Sequence, residues 1–208
     1  MISVILLAGG TGTRMGIDMP KQFLPLGDKS VIDYSLEWAK NFDEVIVVAD
    51  KKYHDRFSSF KITVGGKRRQ DSVYNGLLLA TKEYVLVHDT ARPFAKLEDI
   101  KRLIEEGRKI GAATLGRPVS NTIKEADTNG NVIKTIDRSK LWEIQTPQFI
   151  QRDLLLKGYE KVHQDQLDVT DDVSVVETIG VQVKLVVGSP LNFKISTMDD
   201  YKIAEALA

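Results

Sequence analysis

The chain predicts a doubly wound α/β fold on a mostly parallel sheet, and three observations carry that prediction. Short aliphatic runs such as Val4-Ile5-Leu6-Leu7 and Val45-Ile46-Val47-Val48 recur, the pattern of strands buried on both faces. Segments with apolar residues spaced three and four apart alternate with them, as amphipathic helices require. Two of the runs lead into paired glycines, Gly9-Gly10 and Gly65-Gly66, where backbone can approach a ligand closely. At 208 residues and 42% hydrophobic content, the chain suits one such domain over residues 1–208.

The elements follow in order. Residues 3–8 form the first strand. A helix spans residues 31–39, with Ile32, Leu36 and Ala39 on its apolar side. Residues 44–49 and the short run 62–64 are the next strands. Residues 70–81 carry Val73, Leu77 and Ala80 as a helical stripe. The strand at 84–88 runs directly into Asp89. Residues 97–111 read as a helix with Ile100, Leu103 and Ile104 inside and Gly111 closing it. A small-residue strand at 112–115 follows. Helices near 153–162 and 171–179, a strand at 182–187 and a helix at 198–207 complete the alternation, joined by right-handed crossovers.

Residues 118–142 interrupt this pattern. Two β-like runs, 122–125 and 132–136, flank Asp127-Thr128-Asn129-Gly130-Asn131, and Asn-Gly is a strong hairpin signal. Such a hairpin either projects as an arm, packing an apolar face on a second copy in a homodimer, or extends the main sheet. An unsupported hairpin is rarely stable.

Composition removes several functions. Lys+Arg 29 balances Asp+Glu 29, so nothing in the overall charge suggests a nucleic-acid or membrane partner. The absence of cysteine excludes disulfides, thiolate metal sites and a thiol nucleophile. His54, His88 and His163 lack metal-ligand spacing. The apolar run at the N-terminus is too short for a signal peptide or membrane span, which makes the cytoplasm the expected location, or a plastid stroma if a transit peptide has been removed.

The first glycine loop, Ala8-Gly9-Gly10-Thr11-Gly12-Thr13-Arg14-Met15-Gly16, is not a Walker loop, because no Gly-Lys-Ser/Thr follows at the required spacing. Nor is it a dinucleotide fingerprint, because Met15 occupies the third glycine position. Taken alone it reads rather as a tight strand–helix turn with solvated cations. Arg14 followed by Pro20-Lys21-Gln22 favours a triphosphate site: backbone N–H groups give geometry and two cations give charge.

Gly65-Gly66-Lys67-Arg68-Arg69-Gln70-Asp71-Ser72 is a second strand–glycine–helix junction, where Ser72 caps or begins the helix and a pyrimidine would fit against the glycines; in isolation it reads equally as a basic surface turn. Asp89 lies at the carboxyl end of a central strand, where open α/β sheets bind ligands. It is a candidate for Mg²⁺ or a ribose hydroxyl, or else a helix N-cap. Nearby Arg92 is a candidate for a substrate phosphate. His88 points to the opposite face of the sheet from Asp89 and reads as a packed, hydrogen-bonded histidine. Arg138 is a phosphate candidate and Thr146 a hydroxyl donor. Thr170-Asp171-Asp172 has the form of an N-cap with acids in the first turn. Lys194 sits in a short strand-like segment and matters only if the fold returns it to the first glycine loop.

Six motifs in order, LAGGTGTRMG…PKQFLPLG, GGKRRQDSV, VHDTARPF, RSKLWEIQTPQ, TDD and GSPLNFKIS, closely resemble those of the 2-C-methyl-D-erythritol 4-phosphate cytidylyltransferases, over nearly the whole chain. The resemblance implies a Rossmann-like nucleotidyltransferase fold, a homodimer joined by a β-arm, CTP and Mg²⁺, and a place in the non-mevalonate isoprenoid pathway. Carried over by motif, Arg14, Lys21 and Lys194 would be catalytic and hold the CTP phosphates. Ala8, Gly9, Gly10, Gly12, Gly65, Ser72 and Asp89 would bind the nucleotide, and Asp89 would also be the metal ligand. Arg92, Arg138, Thr146 and Thr170 would bind methylerythritol phosphate, with Arg138 and Thr170 reaching across the dimer. Gly9 in place of the usual alanine, and Thr90 where alanine is usual, depart from the family. The double glycine also occurs in the sister ribitol-5-phosphate cytidylyltransferases, whose product is CDP-ribitol.

Overall fold

A computed structural model describes residues 1–9 and 19–208. Seven strands form the main sheet: β1 (Ile2–Leu7), β4 (Glu44–Val48), β5 (Lys61–Thr63), β6 (Tyr84–Asp89), β7 (Ala112–Pro118), β10 (Trp142–Gln151) and β11 (Lys184–Val187). Their order across it is β11-β7-β10-β6-β1-β4-β5. The remaining strands pair off outside it, β2 (Pro25–Leu26) with β3 (Lys29–Ser30), and β8 (Ile123–Ala126) with β9 (Val132–Ile136). All neighbours in the main sheet pair in parallel except β10, which runs antiparallel between β6 and β7. The mostly parallel sheet expected from the alternation is therefore present.

Strand residues alternate between two cores, as a pleat demands. Val4, Leu6, Val47, Leu86 and Phe149 face one side, against α1 (Val31–Ala39) and α3 (Leu97–Ile110). Ile5, Ile46, Val48, Val85, Val87 and Ile150 face the other, against α2 (Arg69–Leu79), α4 (Arg152–Gln164) and α5 (Asp172–Glu177). Helices thus cover both faces. A small third core joins Leu26 and Val31 to Ile195 and Ala204 of α6 (Met198–Leu207). Among the described residues, no helix is long and apolar enough to cross a membrane.

Local chemistry sets the helix boundaries. Ser30 and Asp33 form a capping box at α1, and Thr197 and Asp200 form another at α6. Gly111 closes α3 with φ +94°, a left-handed conformation that favours glycine. Gly76 lets α2 lie close on the sheet: a Cβ there would stand 2.6 Å from the Ile5 side chain. Ser72 does not cap α2. That helix begins at Arg69, and the Asp71 carboxylate reaches back to accept from the Arg68 N–H.

One expectation changes, and one of two alternatives drops out. The longest strand, β10, covers the segment around Gln145-Thr146-Pro147-Gln148, to which periodicity assigns no strand. The Gln145, Thr146 and Gln148 side chains are buried yet hydrogen-bonded, so a hydrophobic pattern could not reveal it. The β8–β9 hairpin does not join the main sheet but forms a two-stranded sheet of its own. Its turn is wider than a two-residue Asn-Gly turn. Asp127 accepts from the Asn129 and Asn131 N–H groups, Gly130 takes φ +84°, and the register shifts by one residue before Ala126 pairs with Val132.

Candidate active site

The carboxyl ends of β1, β4 and β6 open into a cleft of about 300 Å³. Gly9 lies at one side; Gly66, Lys67, Arg68 and Ser72 from the second glycine junction lie at another. Asp89, Lys21 and Lys194 complete it. Lys21 stands on a short turn, Lys21–Phe23, whose Gln22 side chain donates to the Ala8 carbonyl and so ties the turn to the end of β1. The Lys21 ammonium donates to the Ile195 carbonyl at 2.8 Å, which brings the segment carrying Lys194 to the same place. Lys194 Nζ in turn reaches Asp89 Oδ2 at 2.6 Å. Two cations distant in sequence therefore meet one cleft.

A second cleft, of about 460 Å³, adjoins the first. Arg92, Thr114, Gln145, Thr146, Gln148 and Thr170 contribute to its walls. Arg69, Asp89 and Lys194 line both clefts. Arg69 donates through Nε to Asp89 at 3.0 Å and through Nη1 and Nη2 to the two oxygens of Asp172, each at 2.9 Å.

The electrostatics follow from burial and charge. Burial alone would raise the Asp89 carboxyl, but Arg69, Lys194 and Arg92 outweigh it and hold it well below the usual carboxylate range. Burial opposes the charge on Arg69, and Asp172 and Asp89 more than compensate, so it stays a firm cation. Arg92 differs. Burial lowers its pKa, and among the described residues no carboxylate lies within ion-pair distance. Its Nη1 donates to the Asn192 carbonyl at 2.9 Å, while its buried Nε has no partner. Arg92 thus places a desolvated positive charge at the wall of the second cleft.

The family profile of 2-C-methyl-D-erythritol 4-phosphate cytidylyltransferase (IspD) matches residues 2–208. The chain belongs to this family. It is 48% identical over 219 residues to the chloroplastic 2-C-methyl-D-erythritol 4-phosphate cytidylyltransferase of Oryza sativa subsp. japonica, covering 99% of this chain and 74% of that protein. It is 40% identical to the Chlamydia pneumoniae enzyme, covering 99% and 98%. Among solved structures, the Thermus thermophilus cytidylyltransferase superposes with a TM-score of 0.88 at 29% identity, covering 100% of this chain and 98% of that one. The Francisella tularensis structure gives 0.86 at 32%, covering 100% and 99%. The Rossmann-like nucleotidyltransferase fold is thereby established.

Within this IspD-type framework, the sequence-derived residues take different positions. Gly9, Ser72, Lys21, Asp89 and Lys194 gather at the first cleft, and Arg92, Thr146 and Thr170 at the second. Gly10, Gly12 and Arg14 lie outside the described residues. On the second glycine junction Gly66 contributes to the lining, with Gly65 packed close to Ser72 Oγ. The Ala8 backbone is committed: its N–H donates to Val48 and its carbonyl accepts from Gln22. Lys194 is in an irregular segment outside the sheet, not in a strand, where the Ile195 N–H donates to the Ala91 carbonyl. Arg138 stands exposed on the turn Arg138–Lys140 at the root of the hairpin, donates to Ser120, and lines neither cleft of its own chain.

Asp89 is not a helix cap, since α3 begins eight residues later at Leu97. Asp171 is the cap of α5, accepting from Ser174 N–H, so the Thr170-Asp171-Asp172 pattern is both a cap and a cleft wall. His88 is fully buried and its pKa is pushed down to about 3, chiefly by desolvation. The Arg92 carbonyl can only accept, which assigns the proton to His88 Nε2 and makes Nδ1 the acceptor of the Thr146 hydroxyl. That hydroxyl also accepts from the Asp89 N–H at 3.0 Å. The Thr146 proton is spent on His88, so the remaining capacity of this hydroxyl is that of an acceptor.

Sequence reasoning missed Arg69, Gln148 and Asn192. Gln148 Oε1 accepts from Asp172 and Val173 N–H, and its amide donates to Asp171. Asn192 donates to the Thr146 carbonyl at 2.8 Å. Among the described residues, no three carboxylates or histidines cluster to hold a metal. Asp89, the carboxylate common to both clefts, accepts from Arg69 on Oδ1 and from Lys194 on Oδ2, so holding an ion such as Mg²⁺ would require it to give up one of these bonds, with water and phosphates completing the shell.

Proposed function

We propose that this chain transfers the cytidylyl group of CTP to the phosphate of 2-C-methyl-D-erythritol 4-phosphate, releasing pyrophosphate, in isoprenoid precursor synthesis. One observation carries the proposal: two clefts of different lining meet at a shared wall of Arg69, Asp89 and Lys194. A nucleotide in the first and a phosphate on Arg92 in the second would face each other across that wall.

The substrate phosphate has its second pKa near ~6 and is already a nucleophile at neutral pH. A phosphate oxygen forms a bond to the α-phosphorus in line. The bond from that phosphorus to the bridging oxygen breaks, and pyrophosphate leaves with the electron pair. No general base is required, consistent with a neutral, buried His88 already bonded at both nitrogens. Catalysis then consists of alignment and charge neutralisation. Lys21 and Lys194 supply charge around the α-phosphorus, together with Arg14. Gly9, Gly10, Gly12 and Ser72 hold the nucleotide. Thr170 contacts the polyol phosphate, and Thr146 accepts a hydrogen bond from a polyol hydroxyl. Asp89 would hold a Mg²⁺ ion, which supplies further neutralisation of the triphosphate when bound.

The hairpin, residues 118–142, is assigned to homodimer formation, and through it Arg138 would reach the partner's second cleft. The bacterial and plastid origins of the relatives support a cytoplasmic or plastid location. Released pyrophosphate, measured over a panel of nucleotides crossed with methylerythritol and ribitol phosphates, tests the proposal. CTP with methylerythritol phosphate gives the highest kcat/KM. A preference for ribitol phosphate overturns the substrate assignment, and nucleotide binding without pyrophosphate release overturns the enzyme.

A further inference from the structure

Arg69 is a cation that the transfer chemistry above does not use. It leaves the first turn of α2, beside the glycine junction of the nucleotide cleft, and ends between two carboxylates of different elements. One is Asp89 at the end of β6. The other is Asp172 at the start of α5, whose helix borders the second cleft. Three directed hydrogen bonds, from Nε, Nη1 and Nη2, use the guanidinium as a fork with its prongs on different parts of the fold. Asp172 is gripped from its other side too, because its backbone N–H donates to Gln148 of β10.

We propose that Arg69 is a positioning residue for cytidylyl transfer: its guanidinium fixes the separation of the nucleotide cleft from the polyol-phosphate cleft by spanning Asp89 and Asp172. The inference rests on the cytidylyltransferase reading. A purely stabilising role fits the geometry less well. A buried ion triad contributes little net stability over well-packed apolar residues, since desolvation offsets most of the attraction. It does specify orientation. In-line attack needs two phosphates, held in different clefts, aligned closely, and displacements near ~1 Å cost on the order of 100-fold in rate. An ammonium cannot reproduce the span, having no planar fork. Lys194, the other cation on the shared wall, bonds Asp89 only, so among the described residues Arg69 alone joins Asp89 to α5.

The test compares wild type, Arg69→Lys and Asp172→Asn in steady-state pyrophosphate release, with thermal midpoints recorded alongside. Arg69→Lys keeps the charge and removes the span. The expected result is a kcat lower by about 30-fold with the CTP KM within about threefold of wild type, at a temperature where the variant is fully folded. Asp172→Asn keeps the volume and weakens one prong, and loses about tenfold in kcat with the same unchanged CTP KM. If Arg69→Lys does not fold, Asp172→Asn decides alone. A folded variant with kcat within threefold of wild type overturns the role, as does a loss appearing wholly in the CTP KM, which would make Arg69 a nucleotide ligand. Wild type inactive with CTP and methylerythritol phosphate sinks the cytidylyltransferase reading and this inference together. Active wild type with an equally active Arg69→Lys sinks only the inference.

Discussion

The cleft end of the sheet and the β8–β9 hairpin are both rich in charge and use it in opposite ways. At the clefts, Arg69, Asp89, Asp172 and Lys194 are bound to one another, with the Asp172 side chain 1% exposed. In the hairpin, the Lys134–Glu125 pair is 61% and 47% exposed. An exposed pair of that kind contributes between ~0 and 1 kcal/mol and is screened by salt. Its side chains keep a two-stranded ribbon solvated while Val132 and Ile133, each 60% exposed, present apolar surface to water. Charge in the first region is buried and directed between elements; charge in the second is solvated beside exposed apolar side chains.

Three substitutions break or sharpen that contrast. The largest effect belongs to the cleft: Lys21→Ala lowers kcat by about 100-fold or more while moving the thermal midpoint by no more than ~3 °C. Near-normal turnover in that variant removes Lys21 from the chemistry. An intermediate effect concerns stability at the far edge of the sheet, where Glu44 accepts from Lys61, Ser3 and Thr81. Burial pushes this carboxyl up, yet those bonds bring it down to about 2. A depressed folded-state pKa stabilises above the unfolded value of 4.5 and is lost as pH falls from there toward 2. Glu44→Gln therefore costs about 2 kcal/mol in urea unfolding at pH 7. The difference shrinks on acidification, and a gap that persists at pH 2 contradicts the account. The smallest effect on the single chain belongs to the hairpin. Ile133→Asp shifts its unfolding free energy by less than ~0.5 kcal/mol. The same variant lowers the mass measured by light scattering from dimer to monomer; an unchanged mass would remove the hairpin from assembly.

How much was readable from sequence divides along similar lines. Strands with unbroken aliphatic runs, such as β1, β4 and β6, and helices with apolar stripes, such as α3, declare themselves through periodicity. β10 does not, because Gln145, Thr146 and Gln148 are polar, and their burial is made tolerable only by partners on α5, on β6 and in the segment around Ser189. Lys21, Asp89 and Lys194 stand out as residue types beside glycine loops and strand ends. Arg69 does not, because Arg68 is its neighbour and of the same type. Only the turn of α2 sends one inward to Asp89 and leaves the other pairing with Asp71 near the surface. The direction of the Thr146 proton was equally invisible, since it depends on His88 lying beside it in space.

The antiparallel course of β10 has a structural consequence. Its ten residues run from the root of the hairpin at Trp142 into the sheet at Gln151, with a bulge between Ile144 and Gln148 where the register against β7 shifts. Midway along this ribbon sit Thr146 and Gln148, which hold the Asp89 N–H and the first turn of α5. One strand thus links the hairpin to the wall of the second cleft, and a change at either end acts on the same piece of chain.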